Sequence, residues 1–343
     1  MDLEERLELA CRPPVQEVVL KEELKERFET HREPVHYIGL EISGELHIGS
    51  LLLTGNKIND LKKAGCKTQV FLADWHSVIN NKFGGQWEKV QEAAKYYEEA
   101  FTFYCPGTRV IKGSDVYHHN DEYWRDVIHF SKHMTLKRAT RCLTIMGRSE
   151  SDSLELAQFF YPSMQAVDMK YLEVDIAHAG MDQRKIHMAA REIFPKMKWK
   201  KPVALHHRIL PSMAPPTETG EYENKMSKSK PGSAIFIHDS EKEIREKMNK
   251  AYCPEETRDN PVLAILKHLV FNDANELTVN RPKKFGGDLT YHSYEEVEKA
   301  YTEKRLHAQD LKNATAEALN ERIAPVRTHF EKKKELLKVF DGA

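Results

Sequence analysis

The chain is short of the features that would place it in a membrane, outside the cell or among disordered proteins. No apolar run approaches the ~20 residues that a bilayer-spanning helix needs. The opening Met1-Asp2-Leu3-Glu4-Glu5-Arg6 lacks the basic-then-apolar layout of a secretory leader. Cysteine is scarce and odd in number: Cys11, Cys66, Cys105, Cys142 and Cys253, with no CxxC pair. A disulfide framework or a thiolate zinc site is therefore not expected, and a reducing, cytoplasmic setting is. Net charge is −1, so overall charge names no partner. No internal repeat and no low-complexity tract is present. What is there suits folded domains. The 343 residues fit about two of them, and 40% apolar with 31% charged residues suffice to bury cores.

Local charge says more than net charge. Arg125 to Arg148 carries six Lys/Arg and one acid, and Arg184 to Arg208 carries eight and one. Two such runs in a balanced chain point to a polyanion-binding surface; the alternative is solvated helix faces. Residues 1–33, with Val18, Leu20, Leu24 and Phe28 in periodic spacing, predict a peripheral helix. His36–Leu40, Thr68–Ala73 and Arg109–Ile111 read as buried strands, and Leu51–Ala64 and Trp87–Tyr104 as helices. Strand and helix alternate, which predicts a parallel sheet with crossover helices. Residues 120–170 read as mostly helical, Leu210–Asn224 as a Pro/Gly-rich loop, and Glu241 onward as largely helical. A domain boundary is placed near 240.

Two segments carry chemistry. Gly44-Glu45-Leu46-His47-Ile48-Gly49-Ser50 stands directly before a helix. Glycine lets backbone approach a ligand, a histidine can hydrogen-bond phosphate, and a helix start offers free N–H groups. The alternative is an ordinary turn capped by Ser50. Lys225-Met226-Ser227-Lys228-Ser229-Lys230 suits a flexible clamp on a triphosphate, or a merely solvated basic loop.

Together these segments resemble the HIGH and KMSKS signatures of class I aminoacyl-tRNA synthetases. KMSKS is unbroken; HIGH reads His47-Ile48-Gly49-Ser50, with serine in place of its last histidine. Tyr161-Pro162-Ser163-Met164-Gln165-Ala166-Val167-Asp168 and Ala179-Gly180-Met181-Asp182-Gln183-Arg184-Lys185-Ile186-His187-Met188 narrow the resemblance to tyrosyl-tRNA synthetases of the archaeal and eukaryotic type. It continues through Tyr37-Ile38-Gly39, Ala73-Asp74-Trp75-His76, Lys250–Pro254, Phe285–Leu289 and Leu306–Lys312, and covers roughly residues 35–330.

The resemblance implies a doubly wound Rossmann-like α/β catalytic domain over 1–240, with a helical insertion at about 115–150 and the KMSKS loop at 225–229. An all-α anticodon-binding domain over 241–343 would follow. It implies a tyrosine–tRNA ligase that forms tyrosyl-adenylate from L-tyrosine and ATP and then charges tRNA(Tyr). Tyr37 and Asp168 would recognise the phenol; Tyr161, Gln165 and Gln183 would surround the ammonium end. Gly39, His47, Gly49, Ser50, Gly180, Asp182, Lys225, Lys228 and Ser229 would hold ATP. Among these His47, Lys225 and Lys228 would stabilise the charge that develops on phosphate. Arg184 and Lys185 would meet the tRNA acceptor end. Phe285 and His307 would stack on an anticodon base and Asp310 would read guanine. Mg²⁺ would come with ATP, and no resident metal or tightly bound cofactor is expected. A homodimer built on the insertion is expected, and no membrane association.

The helix geometry agrees with the site assignment. Tyr161, Gln165 and Asp168 fall on one face at helical spacing. Four positions depart from the family's usual residues: Ser50, Ala179 for the first of two glycines, Phe71 for an aliphatic residue, and Gly113-Ser114-Asp115-Val116-Tyr117 for Gly-Ser-Glu-Phe-Gln. The sister enzyme for tryptophan is the first alternative, opposed by Tyr37 and Asp168, because indole has no hydroxyl. A catalytically weakened tRNA-binding paralogue is the second, opposed by the intact KMSKS. A generic adenylyltransferase has no use for the C-terminal matches.

Overall fold

A computed structural model describes residues 1–146, 154–216, 224–227 and 231–341 of the chain. Its helices are, in order, α1 (Leu3–Cys11), α2 (Lys21–Thr30), α3 (Thr54–Lys63), α4 (Asp74–Ile79), α5 (Trp87–Tyr104), α6 (Gly113–Tyr117), α7 (Asp121–Ser131), α8 (Leu136–Cys142), α9 (Tyr161–Tyr171), α10 (Arg184–Ile193), α11 (Glu241–Lys250), α12 (Pro261–Ile265), α13 (Tyr294–Thr302) and α14 (Ala308–Glu331). The residues pack into two compact units. One comprises Met1–Gly44, Lys57–Arg208 and the segment from Leu336; the other comprises Glu45–Asn56 and Ile209–Glu335. The expected boundary near 240 falls inside the second of these units.

The first unit is built on a six-stranded sheet of β1 (Val15–Val18), β2 (Val35–Leu40), β3 (Lys67–Leu72), β4 (Arg109–Lys112), β5 (Ile176–Gly180) and β6 (Val203–His207). The spatial order is β1-β6-β5-β2-β3-β4, parallel throughout except for β1 against β6. From β2 the chain winds outward through β3 and β4, then returns to β2's other side with β5 and β6. That reversal is the doubly wound arrangement, and ligands bind such sheets at the strand carboxyl ends beside the switch point. Here those ends carry Gly39 on β2 and Gly180 on β5. The expected strands at 36–40, 68–73 and 109–111 are present, and Trp87–Tyr104 is one helix. Residues 1–33 differ: two helices flank a strand, and Val15–Val18 hydrogen-bonds along β6. A four-residue edge strand is too short to show alternation.

The sheet centre contains histidines where apolar side chains would be usual. His36 Nε2 lies 3.1 Å from His178 Nδ1, and His178 Nε2 lies 2.8 Å from His207 Nδ1. The three imidazoles thus cross β2, β5 and β6 in a line, all buried. A second pair joins His187 on α10 to His206 at 3.1 Å, and His206 reaches Glu17 at 2.8 Å. Pairing imidazoles with one another satisfies polar groups inside the sheet, with His36 Nδ1, at one end of the line, left without a partner.

The second unit is helical apart from a two-stranded antiparallel ribbon, β7 (Leu277–Val279) with β8 (Leu289–Tyr291). Helix α11 starts with a reciprocal capping box, Ser240 with Glu243. All five cysteines are free thiols. Among the described residues no helix is long and apolar enough to cross a membrane.

The histidine line makes stability depend on acid in a defined direction. Burial pushes His36 down to about 3 and His207 down to about 4, and it pushes His178 well below the usual range, helped by His207. Unfolded imidazoles titrate near ~6.5. The folded state therefore binds fewer protons below that value. This contribution is fully present above pH ~6.5 and is lost as pH falls toward the depressed values. Urea midpoints are expected to fall steadily from about pH 6.5 to pH 5, where three imidazoles that bind protons only in the unfolded chain outweigh the one buried carboxyl whose proton affinity is raised in the fold. A midpoint that holds constant down to pH 5 would contradict the assignment.

Candidate active site

In the first unit, α9 delivers three of the expected residues to one place. The Pro162 ring starts the helix in its first turn, where no N–H is needed. Tyr161, Gln165 and Asp168 follow on one face. Asp168 is fully buried. Its Oδ1 accepts from Tyr117 Oη at 2.9 Å and from Tyr123 Oη at 2.8 Å. Its Oδ2 makes no hydrogen bond. The imidazole of His76, also buried, stands 3.7 Å from that oxygen. Both ring nitrogens of His76 lack hydrogen-bonding partners; the Tyr161 backbone approaches them without hydrogen-bond geometry. Gln165 donates through Nε2 to Gln183 Oε1 at 3.1 Å, and its own Oε1 is buried and unsatisfied.

Unsatisfied buried polar groups are rare because each costs about 1–3 kcal/mol. Three side chains of one pocket carrying them together mark a place where a polar ligand completes the bonding. The acceptor is electrostatically poised. Burial pushes Asp168 up to about 8, against the pull of Tyr123 and Tyr117, which donate to it, and with Asp74 adding to the rise. Tyr37 is buried beside it, and both burial and the Asp168 charge hold its phenol far above the ordinary range. Gly39 is required for the Tyr37 rotamer: a Cβ there would lie 2.4 Å from Tyr37 Oη. Phe71 forms a wall 6.0 Å from Tyr37 and 6.3 Å from Tyr117, ring to ring.

Beside the pocket, Asp74 anchors the start of α6. It accepts from Ser114 N at 3.0 Å, Ser114 Oγ at 2.6 Å and Gln91 Nε2 at 2.9 Å. Gly180 ends β5 in an extended conformation that any residue adopts (φ −66°), so space rather than backbone strain is what its lack of a side chain supplies. Asp182 sits in the short turn that follows, just before α10. The expected cations Arg184 and Lys185 begin α10. Arg184 is clamped on Glu17 by three hydrogen bonds of 2.8 to 3.0 Å, and Lys185 donates to Thr144 Oγ1 at 3.0 Å. Much of the second basic run is paired with acids of the protein itself. Arg191 and Lys201 meet Glu23, Lys196 meets Glu192, and Lys200 meets Asp175. Its charge is thus partly a structural network rather than an open polyanion surface.

The second unit holds the other group of expected residues. The turn at 47–50 is closed on itself. Ser50 Oγ accepts from His47 N and donates to His47 O, both at 2.9 Å, while His47 Nδ1 accepts from Gly49 N at 3.1 Å. Ser50 is thus a cap, the plainer of the two readings of this residue, and the ring of His47 is fixed by its own turn. Ile48 N donates to Ile235 O, and His47 pairs with Phe236. Lys225 pairs with Pro211, and Met213 N donates to Ser233 O. The histidine turn and the start of the lysine loop therefore share one compact unit. Lys228 and Ser229 lie outside the described residues. Phe285 is 62% exposed on a turn closed by Gly286 and Gly287, both with positive φ. His307 caps α14 by accepting from Gln309 N, and Asp310 lies in that helix's first turn.

Tyr123 was not among the residues read from the sequence as functional. Tyr117 and His76 stood out only through the family resemblance. The three lie on α7, α6 and α4, and no periodic pattern links them to α9. Among the described residues no cluster of three or more His, Cys, Asp or Glu side chains could hold a metal ion.

A family model described as class I tRNA synthetases (W and Y) matches residues 29–324. A tyrosine–tRNA ligase of Pyrococcus abyssi is 44% identical over 99% of this chain and 98% of its own length. The solved tyrosyl-tRNA synthetase of Pyrococcus horikoshii, complexed with L-tyrosine, is 44% identical and superposes over 100% of both chains with a TM-score of 0.94. A tryptophanyl-tRNA synthetase of Plasmodium falciparum shares the fold, covering 93% of this chain and 83% of its own at 18% identity and a TM-score of 0.65.

The raised Asp168 carboxyl is a stability cost at alkaline pH. A carboxyl raised in the fold contributes stability below its unfolded value, near ~3.9, and loses it as pH rises through the folded value. Asp168→Asn keeps the Oδ1 acceptor, removes the charge and turns an amide toward His76. The ligand-free variant is expected to melt above the parent at pH 8, with the gap closing toward pH 4. A variant that melts lower at pH 8 would refute this.

Proposed function

The chain belongs to the class I tRNA synthetases of the tryptophan and tyrosine group and works as a tyrosine–tRNA ligase, and we propose that the buried carboxyl of Asp168 selects its amino acid. The observation that carries this is the unpartnered Oδ2 of Asp168 at the end of an aromatic pocket. A phenol O–H supplies the donor that a carboxylate oxygen lacks. Phenylalanine would leave that oxygen buried and unpaired, and rejection of phenylalanine by the tyrosyl enzyme is the standard instance of this rule. Indole offers one N–H from a bicyclic ring, and Phe71 narrows the wall against it. Tyr37, on the neighbouring strand, completes the phenol end.

Tyr161, Gln165 and Gln183 take the ammonium end, where the free Gln165 Oε1 accepts from NH₃⁺. The tyrosine carboxylate then attacks the α-phosphorus of ATP; the P–O bond to pyrophosphate breaks, and the adenylate forms. Gly39, Gly49, Ser50, Gly180 and Asp182 are the ATP positions of this reading. His47, Lys225 and Lys228 act on phosphate charge, and Ser229 belongs to the same loop. The internal bonds of the 47–50 turn, to which Ser50 contributes two, favour a preorganised arrangement at this ATP position. Mg²⁺ accompanies ATP. In the second step a terminal ribose hydroxyl of tRNA(Tyr) attacks the adenylate's acyl carbon and AMP leaves.

Arg184, oriented by Glu17, and Lys185 serve the acceptor end of the tRNA. Phe285, His307 and Asp310 serve the anticodon; the exposure of Phe285 supports a stacking role. These roles divide the chain near 240 into a catalytic and an anticodon-binding part. A homodimer through the 115–150 insertion is supported by Ile128 and Leu136, which are 61% and 71% exposed on α7 and α8. The cytoplasm is the compartment of this reading.

Pyrophosphate exchange into ATP tests the assignment. Exchange is expected with tyrosine and neither tryptophan nor phenylalanine, and Asp168→Ala is expected to lose at least ~100-fold in kcat/KM for tyrosine. Equal exchange with tryptophan would refute the selection mechanism. Because the phenol donates best to the ionised carboxylate, KM for tyrosine is expected to fall as pH rises through about 8, the value to which burial pushes Asp168. Sedimentation equilibrium is expected to return twice the chain mass, and a monomer would overturn the dimer.

A further inference from the structure

The carboxylate at 168 already binds two phenols of the protein itself, and both use the same oxygen. Tyr117 from α6 and Tyr123 from α7 each donate to Oδ1. A carboxylate oxygen offers two good acceptor directions, so two donors fill it. The other oxygen is left without a partner. We propose that Tyr117 is a positioning residue for amino-acid selection: its hydroxyl, with that of Tyr123, saturates Oδ1 of Asp168 and reserves Oδ2 for the substrate. This rests on the reading of Asp168 as the group that recognises the phenol.

Two features show that Tyr117 is held for this task. Its ring is wedged among Phe71, Trp75, Tyr123 and Trp124, with centroids 4.5 to 6.3 Å away. Gly113 makes room for it: a Cβ at that position would lie 2.9 Å from Tyr117 Cε2 and 2.7 Å from Asp74 Oδ1. The hydroxyl therefore arrives on a rigid ring, with little freedom to follow a rotating carboxylate. With Tyr123 alone, one acceptor direction of Oδ1 would be open. The carboxylate would then have two oxygens competing for one incoming phenol and could turn either toward it. With both donors in place, only the orientation that aims Oδ2 into the pocket keeps every bond. Position 117 is also where this chain departs from the commoner glutamine, so the two-phenol arrangement belongs to this sequence in particular.

The test is the ratio of kcat/KM for tyrosine to that for phenylalanine in pyrophosphate exchange, with KM and kcat resolved. Tyr117→Phe removes one oxygen and keeps the ring. The ratio is expected to fall roughly tenfold, the effect of one hydrogen bond to a charged acceptor. The loss should lie in KM for tyrosine more than in kcat, with KM for ATP unmoved. A merely structural role would lower activity toward both amino acids alike and leave the ratio unchanged, which would overturn the proposal. Asp168→Asn is measured alongside. If it keeps the parent ratio, the reading of Asp168 fails and the proposal with it; if it loses the ratio while Tyr117→Phe keeps it, only the role of Tyr117 is refuted. Should Tyr117→Phe not fold, Tyr117→Gln and Tyr117→Met carry the same test, since they are alike in length and only the first can donate. A higher ratio in Tyr117→Gln supports the proposal, and equal ratios refute it.

Discussion

A carboxyl group taken wholly out of water has to be answered by donors, and around Asp168 the answer is deliberately incomplete. Two tyrosines from separate helices satisfy one oxygen, and nothing in the protein satisfies the other. Much of the first unit's interior serves this arrangement. Gly39 admits the Tyr37 ring and Gly113 admits the Tyr117 ring. Asp74 fixes the start of α6, and Pro162 starts the helix that carries Asp168. The cost shows in the raised protonation point of Asp168. In the proposed reading a ligand hydroxyl offsets that cost, so affinity and chemical selection would come from the same bond.

The sheet frames the first unit, and the histidine turn belongs to the second. The reversal of strand order at β2 and β5 puts two glycine-bearing strand ends at the switch point, where a nucleotide can lie against backbone. The histidine turn is held by hydrogen bonds within four residues, and backbone pairing ties it to residues 235–237. The Pro211–Lys225 bridge anchors the near end of the lysine loop. A preorganised turn beside a tethered loop suits a reaction that needs mainly alignment and charge stabilisation.

Charge is arranged for structure as much as for partners. Arg191 and Lys201 converge on Glu23, and Arg184 is forked onto Glu17, which also meets His206. These pairs tie β1 and α2 to α10 and to β6 with the residues just before it. An isolated exposed ion pair contributes little, but a shared carboxylate orders two cations at once. Arg184 is therefore held in one orientation, with its rotamer freedom already spent.

Local pattern was sufficient wherever chemistry is carried by contiguous residues. The histidine turn, the lysine loop, the Tyr161–Asp168 helix face and the alternation of β2, β3 and β4 with their helices are legible because each lies within one turn, one helix or one short apolar run. Strands β5 and β6 were not, because IAHAG and VALHH look half polar until their histidines are seen to pair across the sheet. The same holds for β1, whose reason to be a strand is β6. The second basic run looked like open surface because the acids that pair with Arg184, Arg191 and Lys201 lie more than a hundred residues away, in Glu17 and Glu23. The sequence by itself determined the family and the reaction. Only the tertiary structure decided which oxygen of the Asp168 carboxyl the protein leaves without a partner. That depends on where Tyr117, Tyr123 and His76 arrive from three other helices, and contacts between distant segments leave no periodic trace in a chain.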